Sequence, residues 1–431
     1  MGRNASFIVC LAFTTVINPA VSTAEDLSAP RFEPQTIDDK ISIGYGVAVA
    51  DIDGDDKPDV VLADKKEIVW YQNPSWKKHL IARDLTLMDN VCVAARDIDG
   101  DNKAEIAVGA QWNPGETKDE AKSGAVFFLV RPDDLSQPWK PVKLTHEPTV
   151  HRMKWIRTGD NEFKLIVVPL HGRGNNPQSG EGEPVKVLAY DVPNDRTNSA
   201  DWKTTVVDQS LHKTHNFDVR RRNEGPESLW LGGKEGVQQI TYEKDGWRSV
   251  PLRYQGMDKG IGEVRGFSQD ILAMIQPMHG NQVTLYHQDF NPVVLDESLN
   301  EGHALVCEAL LGRGFPEVVA GWRQPDKEGK VGLKMYVRDD SSGKESWSTH
   351  LVADNTMACE DLVAADLNGD KKQDLVASGR ATKNVVIYWN KTDLGPPISK
   401  ERPELPSLTD EEKEKARKRK EAQKEKPKAT D

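Results

Sequence analysis

Acidic residues recur at one spacing in three turns of this sequence. In each turn, oxygen-bearing side chains occupy positions 1, 3, 5 and 9 around a glycine, as in the segment from Asp51 to Asp59. Oxygen ligands around a flexible turn suit Ca²⁺, although the last acid comes earlier than in an EF-hand loop. We expect structural calcium sites here, and solvated turns without an ion are the alternative. The expected ligands, turn by turn, are Asp51, Asp53, Asp55 and Asp59; Asp97, Asp99, Asp101 and Glu105; and Asp366, Asn368, Asp370 and Asp374.

A second set of residues combines three imidazoles with one carboxylate. His151, His215, His303 and Glu360 fall at equivalent positions when the chain is aligned on the repeat described below. Such a set suits Zn²⁺ or a similar borderline divalent ion, and a coordination position stays open for water or substrate if only three of them bind. A ring of hydrogen-bonded histidines without a metal is the alternative.

Further polar residues are expected near these histidines, in loops at the same end of the repeats. They are His171, His279, Arg323 and Arg380, together with Trp112. Arginines hold carboxylate or polarised carbonyl oxygens, histidines transfer protons near neutral pH, and a tryptophan stacks on sugar rings. The combination predicts a cationic, aromatic-lined bowl, and solvated loop tips are the alternative for any single residue.

These residues are positioned by a repeating unit of four short strands. In residues 47–82, apolar and aromatic runs at about 46–51, 58–63, 67–73 and 76–82 are separated by turn residues, which is typical of antiparallel hairpins. Later copies are recognised by an aromatic residue that opens the outermost strand. These aromatic residues are Trp76, Trp139, Trp202, Trp247 and Trp347, with Phe290 as a weaker example.

The two ends of the repeat region complete each other. Residues 32–37 fit the outermost strand but have no inner strands before them, whereas the last unit stops after its third strand at residues 385–390. An N-terminal strand that completes the last unit would close the ring and remove exposed sheet edges. The sequence therefore predicts an all-β, seven-bladed β-propeller over residues 31–395, with the acidic turns on one face and the histidines on the other.

The remaining segments bear on the cellular location of the protein and on its class of partner. Residues 1–24 resemble a secretory signal peptide, which predicts a secreted or periplasmic protein, and no other stretch is apolar enough to span a membrane. Residues 400–431 are dense in Glu and Lys and predict either disorder or a short solvated helix. A net charge of −11 without a basic stripe disfavours nucleic acid. Cys92, Cys307 and Cys359 fall in predicted strands and favour buried free thiols.

The Asp-x-Asp-Gly-Asp units resemble FG-GAP/VCBS repeats over nearly the whole mature chain. Other segments look like the propeller domain of aldos-2-ulose dehydratase, which implies elimination of water from keto-sugars. In that family cupin-like domains follow the propeller, whereas this sequence continues with a charged tail, which leaves open any activity that needs the cupin region. The segments that carry the likeness are residues 150–153, 169–174, 232–236, 301–305, 320–323 and 377–382.

Together these features favour an exported carbon–oxygen lyase that acts on a sugar derivative with a carbonyl or carboxylate. A metal ion or Arg323 and Arg380 would stabilise the enolate, and His171 or His279 would remove the proton. Whether the chain is an enzyme at all stays open at this point. A non-catalytic propeller that binds glycans or a protein is the alternative, and a polysaccharide lyase is a third reading.

Overall fold

The computed structural model describes residues 29–222, 224–268, 270–287, 291–339 and 344–394. Within these ranges the chain forms seven antiparallel sheets of four strands each, and two short 3₁₀ helices, Ser199–Asp201 and Met257–Lys259. The predicted segments 1–24 and 400–431, and Phe290, lie outside the described residues. No helix in the described part of the chain has the length and apolar character needed to cross a bilayer.

Strand β1 (Phe32–Asp38) precedes the first complete blade. The blades that follow are β2 (Gly46–Ala50), β3 (Asp59–Ala63), β4 (Glu67–Gln72) and β5 (Lys77–Arg83); β6 (Cys92–Arg96), β7 (Glu105–Ala110), β8 (Ala125–Val130) and β9 (Lys140–Leu144); β10 (Val150–Gly159), β11 (Glu162–Pro169), β12 (Val187–Asp191) and β13 (Thr204–Asp208); β14 (Thr214–Arg220), β15 (Ser228–Gly233), β16 (Gly236–Glu243) and β17 (Gly246–Leu252); β18 (Glu263–Ser268), β19 (Ile271–Gln276), β20 (Gln282–His287) and β21 (Asn291–Asp296); β22 (Gly302–Glu308), β23 (Glu317–Trp322), β24 (Gly332–Asp339) and β25 (Ser346–Asp354); and β26 (Cys359–Ala365), β27 (Asp374–Gly379) and β28 (Val385–Asn390).

The seventh blade closes the ring with the N-terminal strand. Strand β1 pairs antiparallel with β28, with Phe32 opposite Asn390 and Thr36 opposite Val386. The innermost strand β2 packs against β6 on one side and β26 on the other. Closure gives every blade a neighbour on both sides and leaves only the outermost strands as sheet edges. The predicted seven-bladed propeller with an N-terminal closing strand is therefore confirmed.

Neighbouring blades pack against each other through apolar residues of their middle strands. One cluster joins Val61 and Trp70 of the first blade to Ile106 and Phe127 of the second, and all four side chains are buried. Burying a large apolar side chain contributes about 1.5–3 kcal/mol relative to leaving it exposed. Such clusters hold each blade against the next, so the ends of the innermost strands are fixed in space.

A buried carboxylate anchors the turn between the first two strands of a blade. Asp59 is fully buried and accepts a hydrogen bond from the backbone of Ile52 at 2.9 Å. In the sixth blade, which lacks the other acids of the pattern, Glu317 accepts from the backbone of Leu311 at 2.9 Å. This last acid therefore stabilises the turn whether or not the neighbouring acids are present.

An asparagine at the end of the third strand links neighbouring blades on the same face. The side-chain amide of Asn73 donates to the carbonyl of Leu367 in the seventh blade at 2.7 Å. Asn390 makes the equivalent bond to the carbonyl of Leu310 in the sixth blade at 2.8 Å. These bonds satisfy turn carbonyls and hold the face that carries the acidic turns. The three cysteines of the described chain are buried free thiols.

Candidate metal centre

The candidate site lies at the mouth of the propeller, which we define as the end where the innermost strands begin. His151, His215, His303 and Glu360 are each the second residue of an innermost strand. At each of these residues the pairing with the next strand shifts in register. The innermost strands of the first two blades pair without such a shift. Because a β-bulge bends the strand and redirects a side chain, these four residues depart from the regular strand alternation.

Three histidines converge at this mouth. His215, His279 and His303 each offer a ring nitrogen, and these nitrogens all lie within 4.8 Å of one another. The Nε2 atoms of His215 and His279 are 2.5 Å apart. His279 comes from the loop between β19 and β20, whereas the other two lie on β14 and β22. Three imidazoles at this separation can bind one borderline divalent ion and leave a coordination position open.

Backbone carbonyls fix the orientation of the strand histidines. Nδ1 of His215 lies 2.8 Å from the carbonyl oxygen of Gly262, and Nδ1 of His303 lies 2.6 Å from that of Glu360. His151 makes the same kind of bond to the carbonyl of His215 at 2.9 Å. Because a carbonyl only accepts, each Nδ1 carries the proton and each Nε2 presents a lone pair. Metal-binding histidines use this arrangement.

A buried carboxylate also contacts His215. Glu263 is fully buried, and its Oε1 lies 3.2 Å from Nδ1 of His215. Asn216 donates to both carboxylate oxygens, and Arg265 lies 3.0 Å from Oε2. Burial raises the pKa of Glu263, but Arg265 and His215 outweigh it and hold that pKa to about 2. An ionised carboxylate therefore backs one histidine of the cluster.

The other two predicted axial ligands lie beside the cluster and contact arginines. Nε2 of His151 accepts a hydrogen bond from Arg152 at 3.0 Å, and its ring stacks on Trp112 at 4.9 Å. Glu360 accepts a hydrogen bond from Arg323 and another from Arg380, both at 3.0 Å. The structure thus brings His215 and His303 together with His279, which the sequence predicts as a catalytic residue. The ligand set of His151, His215, His303 and Glu360 remains a prediction.

His171 lies apart from this cluster. It is buried, its backbone nitrogen donates to Thr149, and its ring Nδ1 has no protein partner among the described residues. Burial and the nearby charge of Lys213 lower the pKa of His171 to about 4. Burial, with the charges of His215 and Arg323, also lowers the pKa of His279. These rings are therefore neutral at neutral pH and can accept protons or bind a metal.

Two of the three acidic turns bring their carboxylates together on the opposite face. In each of these two turns, three carboxylates each offer one oxygen, and the three oxygens lie within 4.8 Å of one another. In the second turn Arg196 also contacts Asp99 at 2.9 Å and Glu105 at 3.1 Å. An all-oxygen donor set around a glycine turn fits Ca²⁺. The two groups are Asp51, Asp53 and Asp59, and Asp97, Asp99 and Asp101.

Sequence reasoning missed the contact of Glu263 with His215, the contact of Arg152 with His151, and the bulges. The repeat alignment also places Glu263 near the start of the innermost strand of the fifth blade, but it does not indicate the contact with a histidine of the fourth blade. Arg152 follows His151 directly, and nothing in that adjacency indicates that its guanidinium reaches the ring nitrogen. Both contacts depend on how the backbone turns at the start of a strand.

Comparison with known proteins confirms both resemblances. The aldos-2-ulose dehydratase β-propeller domain family matches residues 123–289, and the FG-GAP-like repeat family matches residues 51–108. Aldos-2-ulose dehydratase of Phanerodontia chrysosporium is 22% identical over 263 residues, which are 57% of this chain and 28% of that protein. The chain thus matches little more than a quarter of the relative's length. The match to the dehydratase propeller family, residues 123–289, contains His215 and His279 but ends before His303.

Solved structures share the fold at low identity. A chain of the mercury-soaked crystal structure of BBS1N in complex with ARL6DN is 11% identical, with a TM-score of 0.52, and the match covers 86% of this chain and 100% of that one. A chain of the mitotic checkpoint complex is 13% identical, with a TM-score of 0.52 and coverage of 88% and 100%. At these identities the likeness shows the propeller fold alone.

Proposed function

We propose that this chain is an exported, metal-assisted lyase that eliminates water from a sugar derivative carrying a carbonyl or carboxylate. The observation that carries the proposal is the convergence of His215, His279 and His303, whose ring nitrogens lie within 4.8 Å of one another. The distant similarity to the propeller of a sugar dehydratase supports the substrate class. A binding propeller has little need for three oriented imidazoles at one point.

The donor set fits a borderline divalent ion such as Zn²⁺. Nδ1 of both His215 and His303 is bound to a backbone carbonyl, so Nε2 is the atom left to bind the ion. His279 completes the set from its loop, and Glu263 holds His215 from behind. Bound there, a divalent ion supplies Lewis-acid polarisation of a carbonyl oxygen.

The arginines at the mouth bind the oxygen that gains negative charge. Arg323 is bound to Glu301 and Glu360, and Arg380 shares Glu360 while its side chain stays 38% exposed. More than a third of the Arg380 side chain therefore stays accessible to a ligand. Guanidinium groups held by carboxylates are positioned before the substrate arrives, which is the arrangement that stabilises an enolate.

A neutral imidazole of this chain removes the proton from the substrate. With His279 in the ligand set, we assign proton removal to His171, whose pKa of about 4 leaves the ring unprotonated at neutral pH. The proton leaves the carbon next to the carbonyl, a carbon–carbon double bond forms, and the carbon–oxygen bond breaks. His171 then gives this proton to the leaving hydroxyl, which departs as water.

Two further parts of the proposal concern stability and location. The acidic turns bind Ca²⁺ on the face opposite the mouth, where it holds the turn between the first two strands of a blade. Residues 1–24 direct the protein to the periplasm or the exterior, where calcium is abundant enough to occupy weak sites. Neither part takes part in the chemistry at the mouth.

The test compares the wild type with His303→Ala and with His350→Ala. His350 lies on the outermost strand β25 and contacts Ser348, so its loss controls for removing an imidazole. We expect His303→Ala to lose a stoichiometric transition metal and the formation of an ultraviolet-absorbing unsaturated product from keto-sugars and sugar acids. If His303→Ala keeps both metal and turnover, the proposed function is wrong.

A further inference from the structure

Three cations near the mouth form no ion pair with an acidic residue of the described chain. Arg152 contacts the ring and the carbonyl of His151, both at 3.0 Å. The Lys213 ammonium donates to the carbonyl of Gln178 at 3.4 Å, and that of Lys234 donates to the carbonyl of Ser179 at 3.0 Å. Within the described ranges none of these three cations forms an ion pair. The charge of Arg152 acts on the buried carboxyls of Glu263 and Asp361, whereas the charges of the two lysines face no described carboxylate within ion-pair distance.

The two lysines lie next to each other and next to the histidines. The backbone nitrogen of Lys234 donates to the carbonyl of Lys213 at 2.7 Å. Lys213 forms an isolated β-bridge with His171 and stands two residues before His215. Burial and the charge of Lys234 lower the pKa of Lys213, and the charges of Lys213 and Arg152 contribute to the lowered pKa of His279.

The other charges at the mouth largely compensate one another. Arg323 and Arg380 are bound to Glu301 and Glu360, and the histidines are neutral. A divalent ion in the histidine cluster would add positive charge to the uncompensated cations. The chain as a whole carries a net charge of −11, so this excess is local and concentrates anions at the mouth.

We propose that the substrate is a sugar acid whose carboxylate is held by Lys213 and Lys234. This inference rests on the proposed function and narrows it, because it excludes neutral keto-sugars as the preferred substrate. A carboxylate also acidifies the adjacent C–H bond, so the group that the lysines hold is the group that the elimination needs.

The test measures binding of methyl β-D-glucuronide and of the uncharged methyl β-D-glucoside to the full chain by calorimetry, after addition of Zn²⁺. We expect the glucuronide to bind at least about tenfold more tightly, because a charge-assisted hydrogen bond contributes at that scale. Lys213→Gln and Lys234→Gln should each reduce this preference several-fold, and raised salt should weaken it.

Lys203→Gln is the matched control. Lys203 is exposed, as Lys234 is, and its ammonium also donates to a backbone carbonyl, that of Ala200. It lies in the connection that contains Arg196, which contacts an acidic turn on the opposite face. Its loss should leave the preference for the glucuronide unchanged.

Three outcomes would overturn this inference: equal affinity for the two glycosides, an undiminished preference in both lysine variants, or no binding of any acid in a panel of glucuronate, galacturonate and gluconate. Turnover of neutral keto-sugars alone would overturn the sugar-acid inference and leave the proposed lyase in place. A retained glucuronide preference in a chain that binds no metal and turns over no sugar would instead refute the proposed function.

Discussion

Replacing His279 by alanine tests which residues form the metal centre. The sequence favours His151, His215, His303 and Glu360 as ligands, whereas the structure places Nε2 of His279 at 2.5 Å from Nε2 of His215. His279 lies on the loop between β19 and β20, so its truncation removes one donor and leaves the strands that carry the other two unchanged.

The expected loss follows from the number of ligands. Structural zinc sites with four ligands bind with roughly 10–16 kcal/mol, or about 2.5–4 kcal/mol for each ligand. Removing one of three imidazoles should therefore weaken metal affinity by roughly a hundredfold or more. His151→Ala should weaken it by less than about tenfold, because Nε2 of His151 is bound to Arg152 and the variant removes no ligand.

The assay is a competitive titration of Zn²⁺ between the protein and a chelator of known affinity, with circular dichroism as the check on folding. Glu360→Gln is measured in parallel, since Glu360 is bound to Arg323 and Arg380 in the structure. If Glu360→Gln or His151→Ala releases the metal while His279→Ala retains it, the ligand set inferred from the structure is wrong.

Three further predictions concern the groups that support the site and the turns. Glu263→Gln keeps the shape of the side chain that contacts His215 but removes its charge. Metal affinity should fall about 10–100-fold, and the melting temperature of the metal-free protein is measured as the control for folding. Calcium at a hundred times its Kd should stabilise the wild type by about 2.7 kcal/mol for each occupied turn in thermal unfolding, and Asp51→Asn should reduce this gain; no response of the wild type would contradict calcium binding. Burial raises the pKa of Glu317 from 4.5 to about 7, so the folded state keeps a proton that the unfolded state releases. The free energy of unfolding should therefore fall by up to roughly 3 kcal/mol as pH rises from 4.5 to about 7. If Glu317→Gln leaves this pH dependence of stability unchanged, Glu317 is not its cause.

The fold was predictable because its signals are local. The strand boundaries predicted for the first blade, 46–51, 58–63, 67–73 and 76–82, agree with the structure to within about a residue. Alternating apolar residues and turn glycines repeat from blade to blade and need no knowledge of distant contacts. Closure of the ring by Phe32–Asp38 was also predictable, because the last blade has only three strands of its own and residues 32–37 fit the missing outermost strand.

The end of the propeller that carries the candidate site was predictable for the same reason. Residues at equivalent strand positions come together around a ring, so His215 and His303 could be expected to face each other across the axis. The sequence alone therefore determined the architecture and which histidines gather at the mouth.

Tertiary structure decided which atoms meet. His279 joins the cluster because the loop between β19 and β20 brings it to His215, and the sequence contains no period that locates a loop residue to within a hydrogen bond. Glu360 is bound to Arg323 and Arg380 because the loops of two blades bring their guanidinium groups to one carboxylate. Side-chain direction at a bulge depends on the pairing register of two strands, and contact distances depend on closure of the whole ring; neither is a property of a local stretch of sequence.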